Sequence, residues 1–192
     1  MARQKQILVM ANGECTKIAL VGAGCSGKTS LLEALRSEMI GSNTIFLDEV
    51  AREYYLLHEG MSEEERYGFE AQAAIQQLCL ERELAAHSRQ PEAIVCDRSV
   101  LDVVVCLAAM GDLAGSDELF SRVATWIPSY TAIYLLDPSG IPFANDQVRR
   151  EDPSVRDRLH QGFIDTFALK GVEYQLLDGD LASRTRIVAE ML

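Results

Sequence analysis

The chain has 192 residues, of which 48% are hydrophobic, and it carries a net charge of −11. This length and apolar content allow one globular α/β domain and exclude a disordered chain. The negative charge disfavours a nucleic-acid or anionic-membrane surface, and no apolar run approaches the ~20 residues of a membrane span. The five cysteines are scattered without paired spacing, which predicts reduced thiols in a cytoplasmic protein.

Short apolar runs alternate with helical patterns along the chain. Residues 1–14 are expected to form a flexible lead-in, and residues 15–192 a single domain. The predicted strands are 16–21, 44–48, 93–97, 131–136 and 172–177. The predicted helices are 29–40, 49–58, 61–88, 99–110, 116–126, 153–171 and about 182–191. Five apolar strands with interleaved helices predict a doubly wound, three-layer α/β/α fold around a parallel sheet.

The most specific motif lies between the first strand and the first helix. Residues 22–29 read GAGCSGKT, the form G-x-x-x-x-G-K-T, in the strand–loop–helix context of a P-loop. Glycines let backbone N–H groups surround a polyphosphate, and the helix N-terminus adds donors. Lys28 would reach the β- and γ-phosphates, and the Thr29 hydroxyl would hold Mg²⁺. The predicted ATP-binding residues are Gly22, Gly24, Cys25, Ser26, Gly27, Lys28, Thr29 and Ser30.

The third predicted strand ends in a Walker B pattern. Apolar residues 94–96 are followed by Asp97, whose carboxylate would stand near Thr29 and hold Mg²⁺. The chain lacks the N-K-x-D motif of a GTPase and the LSGGQ signature of an ABC ATPase, and it is short for an AAA+ motor with a helical lid. A small-molecule kinase is the layout that remains.

Two acids follow the second predicted strand, at the sheet edge where open α/β folds bind their ligands. Glu49 or Asp48 would accept the proton of a substrate hydroxyl, and Arg52 would orient the substrate. Asp48 has an alternative interpretation as a cap of the helix that begins there.

An arginine-rich segment at about 142–158 predicts a lid that closes over the phosphates. It contains Arg149, Arg150, Arg156 and Arg158, and phosphoryl transfer depends on positioning and charge stabilisation. Arg149 and Arg156 are the favoured catalytic arginines, with Arg158 facing solvent. The alternative is a solvated loop whose arginines are balanced by neighbouring acids.

Together these motifs resemble the kinase domain of NadR-type proteins, the ribosylnicotinamide kinase, and the small AAA-like ATPases grouped with it. The matching segments, between about 16 and 192, are GAGCSGKTS, LDEVAREYY, VCDRS, NDQVRREDPSVR and DGDLASRTRIV. The resemblance implies a P-loop kinase fold with strand order 2-3-1-4-5 that uses ATP and Mg²⁺. It also implies these positions: Glu49 and Arg52 on the acceptor side, Asp97 and Arg98 on the metal and substrate side, Asp146, Arg149 and Arg156 in the lid, and Arg184 near the adenine.

We therefore expect a cytoplasmic kinase that transfers the γ-phosphoryl group of ATP to a hydroxyl of a small metabolite, such as a nucleoside or a ribosylnicotinamide-like compound. Two alternatives stay open: a nucleotide-binding regulatory ATPase that acts on a protein partner, and a nucleoside triphosphatase. The expected partners are a nucleotide and a small-molecule acceptor, without nucleic acid or membrane. A homodimer is an open alternative to a monomer.

Overall fold

The computed structural model describes residues 15–143 and 153–192. The strands are β1 (Thr16–Val21), β2 (Thr44–Leu47), β3 (Ala93–Asp97), β4 (Ala132–Leu136) and β5 (Gln175–Leu177). They form one sheet in the order β2-β3-β1-β4-β5, with every neighbouring pair parallel. The predicted parallel sheet and its 2-3-1-4-5 order are therefore confirmed. The proposed lead-in at 1–14 lies outside the described residues.

The described residues contain eight α-helices. They are α1 (Lys28–Glu38), α2 (Val50–Leu57), α3 (Glu63–Tyr67), α4 (Phe69–His87), α5 (Asp102–Ala109), α6 (Leu113–Val123), α7 (Pro153–Lys170) and α8 (Leu181–Ala189). A capping box opens α3, because Ser62 Oγ accepts from the backbone N–H of Glu65 while the Glu65 carboxylate accepts from that of Ser62. None of the described helices is long and apolar enough to span a membrane.

The single helix predicted at 61–88 is wrong, because the chain breaks into α3 and α4 at Gly68. Gly68 is extended, with φ −75° and ψ 159°. The carbonyl of Arg66 instead accepts hydrogen bonds from Tyr55 Oη (3.2 Å) and from Gln72 Nε2 (2.6 Å). Side-chain donors from α2 and α4 thus satisfy a helix-end carbonyl, and this tertiary contact overrides the helical periodicity.

The two helices after β3 begin at other residues than predicted. Helix α5 starts at Asp102 rather than at 99, and residues 99–101 form a turn in which the Asp102 carboxylate accepts hydrogen bonds from the backbone and hydroxyl of Ser99. Helix α6 starts at Leu113 rather than at 116, since the Asp112 carboxylate caps it by accepting from the N–H of Gly115.

Helices cover both faces of the sheet, as the three-layer prediction requires. On one face, apolar side chains of α1 and α8, such as Leu32 and Val188, pack against Ile18 and Leu20 of β1. The larger core on the other face joins β1 and β4 to α4, α5, α6 and α7. All five cysteines lie in the described part of the chain, and none forms a disulfide.

A buried polar cluster lies at the amino ends of the strands, opposite the P-loop. Lys17 Nζ donates to the Glu83 carboxylate at 2.8 Å and lies 4.0 Å from the ring centroids of both Trp126 and Tyr130. Trp126 Nε1 and Tyr130 Oη also donate to Glu83, at 2.7 and 2.6 Å. Three donors from two parts of the chain therefore meet one buried carboxylate, an arrangement that stabilises the fold.

Candidate active site

The loop between β1 and α1 has the backbone conformation that its glycines predict. Gly22 and Gly27 have φ values of +141° and +89°, and Cys25 has a φ of +53°. A Cβ at Gly22 would lie 3.2 Å from the carbonyl oxygen of Leu136, and one at Gly27 would lie 3.1 Å from Ile141 Cδ1. Left-handed backbone and close neighbours therefore demand glycine at both positions.

Lys28 is buried within this loop. Its Nζ donates to the carbonyl oxygens of Gly22 (2.9 Å) and Ala23 (2.7 Å), and to Ser26 Oγ (3.3 Å). The ammonium group is thus held on the inner side of the loop, where the P-loop interpretation places the phosphates. The neighbouring Thr29 is exposed on the first turn of α1. Ser30 is exposed there too.

Thr29 and Asp97 meet beside the loop because β1 and β3 are neighbouring strands, in which Leu20 pairs with Asp97. Thr29 Oγ1 donates to Asp97 Oδ2 at 3.0 Å, whereas the buried Asp97 Oδ1 has no hydrogen-bond partner. Burial raises the pKa of Asp97, and the charge of Lys28 opposes this shift.

This pair fits a magnesium ion. A buried carboxylate oxygen without a partner, next to a hydroxyl, matches the oxygen ligands that Mg²⁺ prefers. Among residues 15–143 and 153–192, no group of three or more His, Cys, Asp or Glu side chains could hold a metal. A bound ion would therefore take its other ligands from nucleotide phosphates and water.

Arg184 lies against the P-loop and is buried. Its Nη1 donates to the carbonyl of Ser26 (2.9 Å), its Nε to that of Gly179 (2.9 Å) and its Nη2 to that of Asp137 (2.8 Å). Burial lowers its pKa, and the nearby Asp137 opposes the shift. Arg184 thus ties the loop to segments that follow β4 and β5. Its expected place near the adenine stays a prediction.

The two candidate bases after β2 have different surroundings. The Glu49 side chain is 8% exposed, and its Oε1 accepts from Arg98 Nε at 2.5 Å, while its Oε2 lies 3.6 Å from Arg52 Nε. The Asp48 side chain is 68% exposed and pairs with Arg36 on α1 at 2.7 Å. The N-cap position of α2 is occupied by Glu49, so Asp48 does not cap that helix.

Arg98 follows β3 in a left-handed conformation, with φ +80°. Its Nη1 donates to Asp102 Oδ1 at 3.0 Å and to the carbonyl of Gly22 at 3.4 Å, while its Nε contacts Glu49. Burial alone would lower the Arg98 pKa, but Glu49 and Asp102 outweigh it and raise the pKa. A non-glycine residue in this region costs about 1–3 kcal/mol, which its surroundings must offset.

Asp102 is the site residue that the sequence analysis missed. Its carboxylate also accepts from the backbone and hydroxyl of Ser99, at 2.8 and 2.9 Å. The available signal was its place four residues after Arg98 at the start of a helix, the spacing of an i,i+4 ion pair.

A cleft of about 480 Å³ opens beside Gly22–Gly24 and contains the Glu49–Arg98–Asp102 cluster. The charged residues lining it are Glu49, Arg52, Glu63, Arg66, Arg98 and Asp102. Its apolar wall includes Ile75, Val103, Leu159 and Phe163. Tyr55 and Gln72 hydrogen-bond to each other at its edge, and burial raises the pKa of Tyr55 to about 12.

The predicted lid is described only in part. Asp146, Arg149 and Arg150 lie outside the described residues. Arg156, on α7, donates from Nη1 to the carbonyl of Ile141 at 2.9 Å, and Ile141 in turn lies over Gly27 of the P-loop. Arg158 is exposed, as expected. The structure thus places Arg156 near the loop, and closure of a lid stays a prediction.

Solved structures of other proteins share this fold. NadR protein, in complexes with NAD and AMP-PNP and with NR, gives TM-scores of 0.65 and 0.69 at 16% and 17% identity over 96% of this chain. The chain spans about half of those NadR chains, 50% and 52%. Deoxyadenosine kinase from M. mycoides, with products dCMP and dCDP, gives 0.60 at 12% identity over 91% of this chain and 97% of its own. Thymidylate kinase from Ehrlichia chaffeensis gives 0.63 at 16% identity over 94% and 100%.

The amino-acid sequence identifies the family to which the chain belongs. None of the proteins with curated descriptions matches the chain significantly. A family model described as an AAA domain matches residues 17–184, which is most of the chain. The expected likeness to NadR-type proteins and small AAA-like ATPases is thereby confirmed. We conclude that the chain belongs to the AAA domain family and has the P-loop fold found in NadR and in nucleoside and nucleotide kinases.

Proposed function

We propose that this protein is an ATP- and Mg²⁺-dependent kinase that phosphorylates a hydroxyl of a small, nucleoside-like metabolite. One observation carries the proposal: the P-loop and the buried Glu49 carboxylate open onto the same cleft of about 480 Å³. A phosphate donor and a hydroxyl acceptor could therefore meet between Lys28 and Glu49, as phosphoryl transfer requires.

The donor side of the site suits ATP. Loop N–H groups and Lys28 would bind the phosphates, and Arg184 would hold the loop in shape through its bond to Ser26. Thr29 and Asp97 would hold Mg²⁺, which when bound neutralises charge on the β- and γ-phosphates. NadR protein, which shares the fold, is described in complex with AMP-PNP, and this supports the nucleotide assignment.

On the acceptor side, Glu49 is the proposed general base. The acceptor oxygen forms a bond to the γ-phosphorus, the bond between that phosphorus and the β–γ bridging oxygen breaks, and the hydroxyl proton passes to the Glu49 carboxylate. Arg98 holds this carboxylate toward the P-loop, with 2.5 Å between Nε and Oε1. Arg52 would orient the acceptor. Arg149 and Arg156 would stabilise the migrating phosphoryl group from the lid.

The residues that line the cleft indicate the chemical class of the acceptor. The cleft combines an apolar wall with the polar side chains of Tyr55 and Gln72, which suits a flat heterocycle joined to a hydroxyl-bearing sugar. The complex of NadR with NR supports an acceptor of this kind, and so does the deoxyadenosine kinase complex, in which dCMP is a product. The cytoplasmic location and the choice between monomer and homodimer stay predictions.

Acceptor-dependent consumption of ATP tests the proposal. A panel of nucleosides, vitamins and sugars is screened for thermal stabilisation of the protein in the presence of ADP and Mg²⁺, and each hit is then assayed with ATP. A kinase consumes ATP in proportion to the acceptor and forms its phosphate ester. Steady release of inorganic phosphate without any acceptor would instead favour a nucleoside triphosphatase. Nucleotide binding with no acceptor-stimulated turnover would favour a regulatory ATPase.

A further inference from the structure

Two buried carboxylates share one partly buried cation at the acceptor end of the cleft. The side chains of Glu49 and Asp102 are 8% and 6% exposed, and the Arg98 guanidinium between them is 18% exposed. Arg98 reaches Glu49 through Nε (2.5 Å) and Asp102 through Nη1 (3.0 Å). The three groups together therefore carry one net negative charge on the surface of the cleft.

The hydrogen bonds identify Asp102 as ionised. Its Oδ1 accepts from Arg98, and its Oδ2 accepts from the N–H and the hydroxyl of Ser99. Burial raises the pKa of Asp102, and the charge of Arg98 opposes this. Both carboxylate oxygens already accept hydrogen bonds, an arrangement that favours the charged form.

The other described cations of the cleft, Arg52 and Arg66, do not give its lining a net positive charge. Arg52 is 40% exposed and shares Glu49, and Arg66 lies 5.2 Å from the ring centroid of Tyr55. Among the described residues, the lining contains three arginines, at 52, 66 and 98, and three acids, Glu49, Glu63 and Asp102, so these formal charges cancel. A cleft built for a phosphorylated acceptor would need a surplus of positive charge, which the described part of the lining does not supply.

We propose that Asp102 is a specificity-determining residue whose buried carboxylate, together with Glu49, excludes acceptors that carry a phosphate group. The acceptor is then an uncharged or cationic hydroxyl compound rather than a nucleoside monophosphate. A monophosphate would accept the phosphoryl group on its own phosphate oxygen, and this would bring its two negative charges beside Glu49 and Asp102. The inference rests on the proposed kinase function, and it adds the charge of the acceptor and the residue that selects it.

Matched pairs of acceptors test the inference. The value of kcat/KM is measured at saturating ATP·Mg²⁺ for adenosine, deoxycytidine, thymidine and a pyridinium riboside, each compared with its 5′-monophosphate. Because like charges held together at a buried site cost several kcal/mol, the wild type should prefer the unphosphorylated member of a pair by at least about 100-fold.

Asp102→Asn removes the proposed selecting charge at nearly constant shape. This variant should lower the ratio of kcat/KM for the nucleoside to kcat/KM for its 5′-monophosphate by about tenfold or more, since one of the two buried negative charges is lost. Glu63→Gln is the matched control, because Glu63 is an exposed acid lining the same cleft and solvent screens its charge. This control should change the preference by less than about threefold. Asp102 also forms the start of α5, so circular dichroism accompanies each assay, and Asp102→Ser serves as a second variant if the first unfolds.

The outcomes separate the inference from the proposed function. Equal use of nucleosides and monophosphates by the wild type would overturn the inference and leave the kinase proposal standing. An unchanged preference in a folded Asp102→Asn or Asp102→Ser variant would make Asp102 a purely structural residue and would also overturn it. If neither class of acceptor stimulates ATP consumption, the kinase proposal fails and takes this inference with it.

Discussion

Replacement of the two acids after β2 distinguishes a catalytic carboxylate from a surface one. Glu49→Gln keeps the size of the side chain but removes its ability to take a proton. General base catalysis contributes about 10²–10⁴ in rate, so turnover with the best acceptor should fall by that factor, which corresponds to about 2.7–5.4 kcal/mol in activation free energy. Affinity for ATP should stay near the wild-type value, because the phosphates are bound by the loop and by Lys28.

Asp48→Asn is the matched control. Its carboxylate is 68% exposed and pairs with Arg36 on the surface, so its loss should cost about 0.2–1 kcal/mol of stability and leave turnover unchanged. Steady-state kinetics over a range of acceptor concentrations, together with ATP titration, measures both variants. If Glu49→Gln retains more than about a third of the wild-type rate, or if Asp48→Asn loses as much as Glu49→Gln, Glu49 is not the base.

Three further variants test the remaining parts of the site and the fold. Lys28→Ala should keep the circular dichroism spectrum but abolish turnover, because the Lys28 ammonium group lies on the inner side of the P-loop and serves phosphate binding rather than the apolar core. Wild-type ATP affinity and turnover in this variant would refute the P-loop role. Asp97→Asn should lose Mg²⁺-dependent turnover yet raise the free energy of unfolding at neutral pH. Burial raises the Asp97 pKa above its ordinary 3.8, so the folded protein binds this proton more tightly than the unfolded chain. The free energy of unfolding of the wild type should then fall as the pH rises from 3.8 through the higher pKa of folded Asp97. Urea titrations should therefore show that Asp97→Asn is more stable than the wild type at neutral pH and that this difference disappears below pH 3.8. Glu83→Gln should cost about 3–5 kcal/mol in urea unfolding because it leaves the buried Lys17 ammonium group without its counter-charge. Lys17→Met added to Glu83→Gln should recover most of that loss, whereas a cost below about 1 kcal/mol for Glu83→Gln alone would refute the buried pair.

The parts of the site that depend on local chain order could be predicted from the sequence. The P-loop is a continuous segment whose glycines, lysine and threonine have fixed roles, so its residues were identifiable before the fold was known. Asp97 followed from parallel pairing, because the ends of neighbouring strands meet at one edge of the sheet. Glu49 was found for the same reason, but only its burial beside Arg98 distinguishes it from the exposed Asp48.

The parts that depend on tertiary contacts could not be predicted. Asp102 matters because burial places its charge beside Arg98, and the spacing of four residues from Arg98 does not by itself reveal that burial. The break at Gly68 depends on a donor from another helix, Tyr55 of α2, as well as on Gln72 of α4, and local periodicity does not report the contact with Tyr55. Lys17 and Glu83 are 66 residues apart in the chain, so their pairing at the base of the sheet has no local signal.

The most direct measurement of the central claim follows the γ-phosphoryl group itself. ATP labelled at the γ-phosphorus is incubated with the protein, Mg²⁺ and each acceptor from the thermal screen, and the products are separated and identified by mass spectrometry. The kinase account predicts that the label appears in a phosphate ester of the acceptor, in equal amount to the ADP formed, and that Lys28→Ala abolishes this transfer. Label found only in inorganic phosphate, at a rate that no acceptor changes, would contradict it.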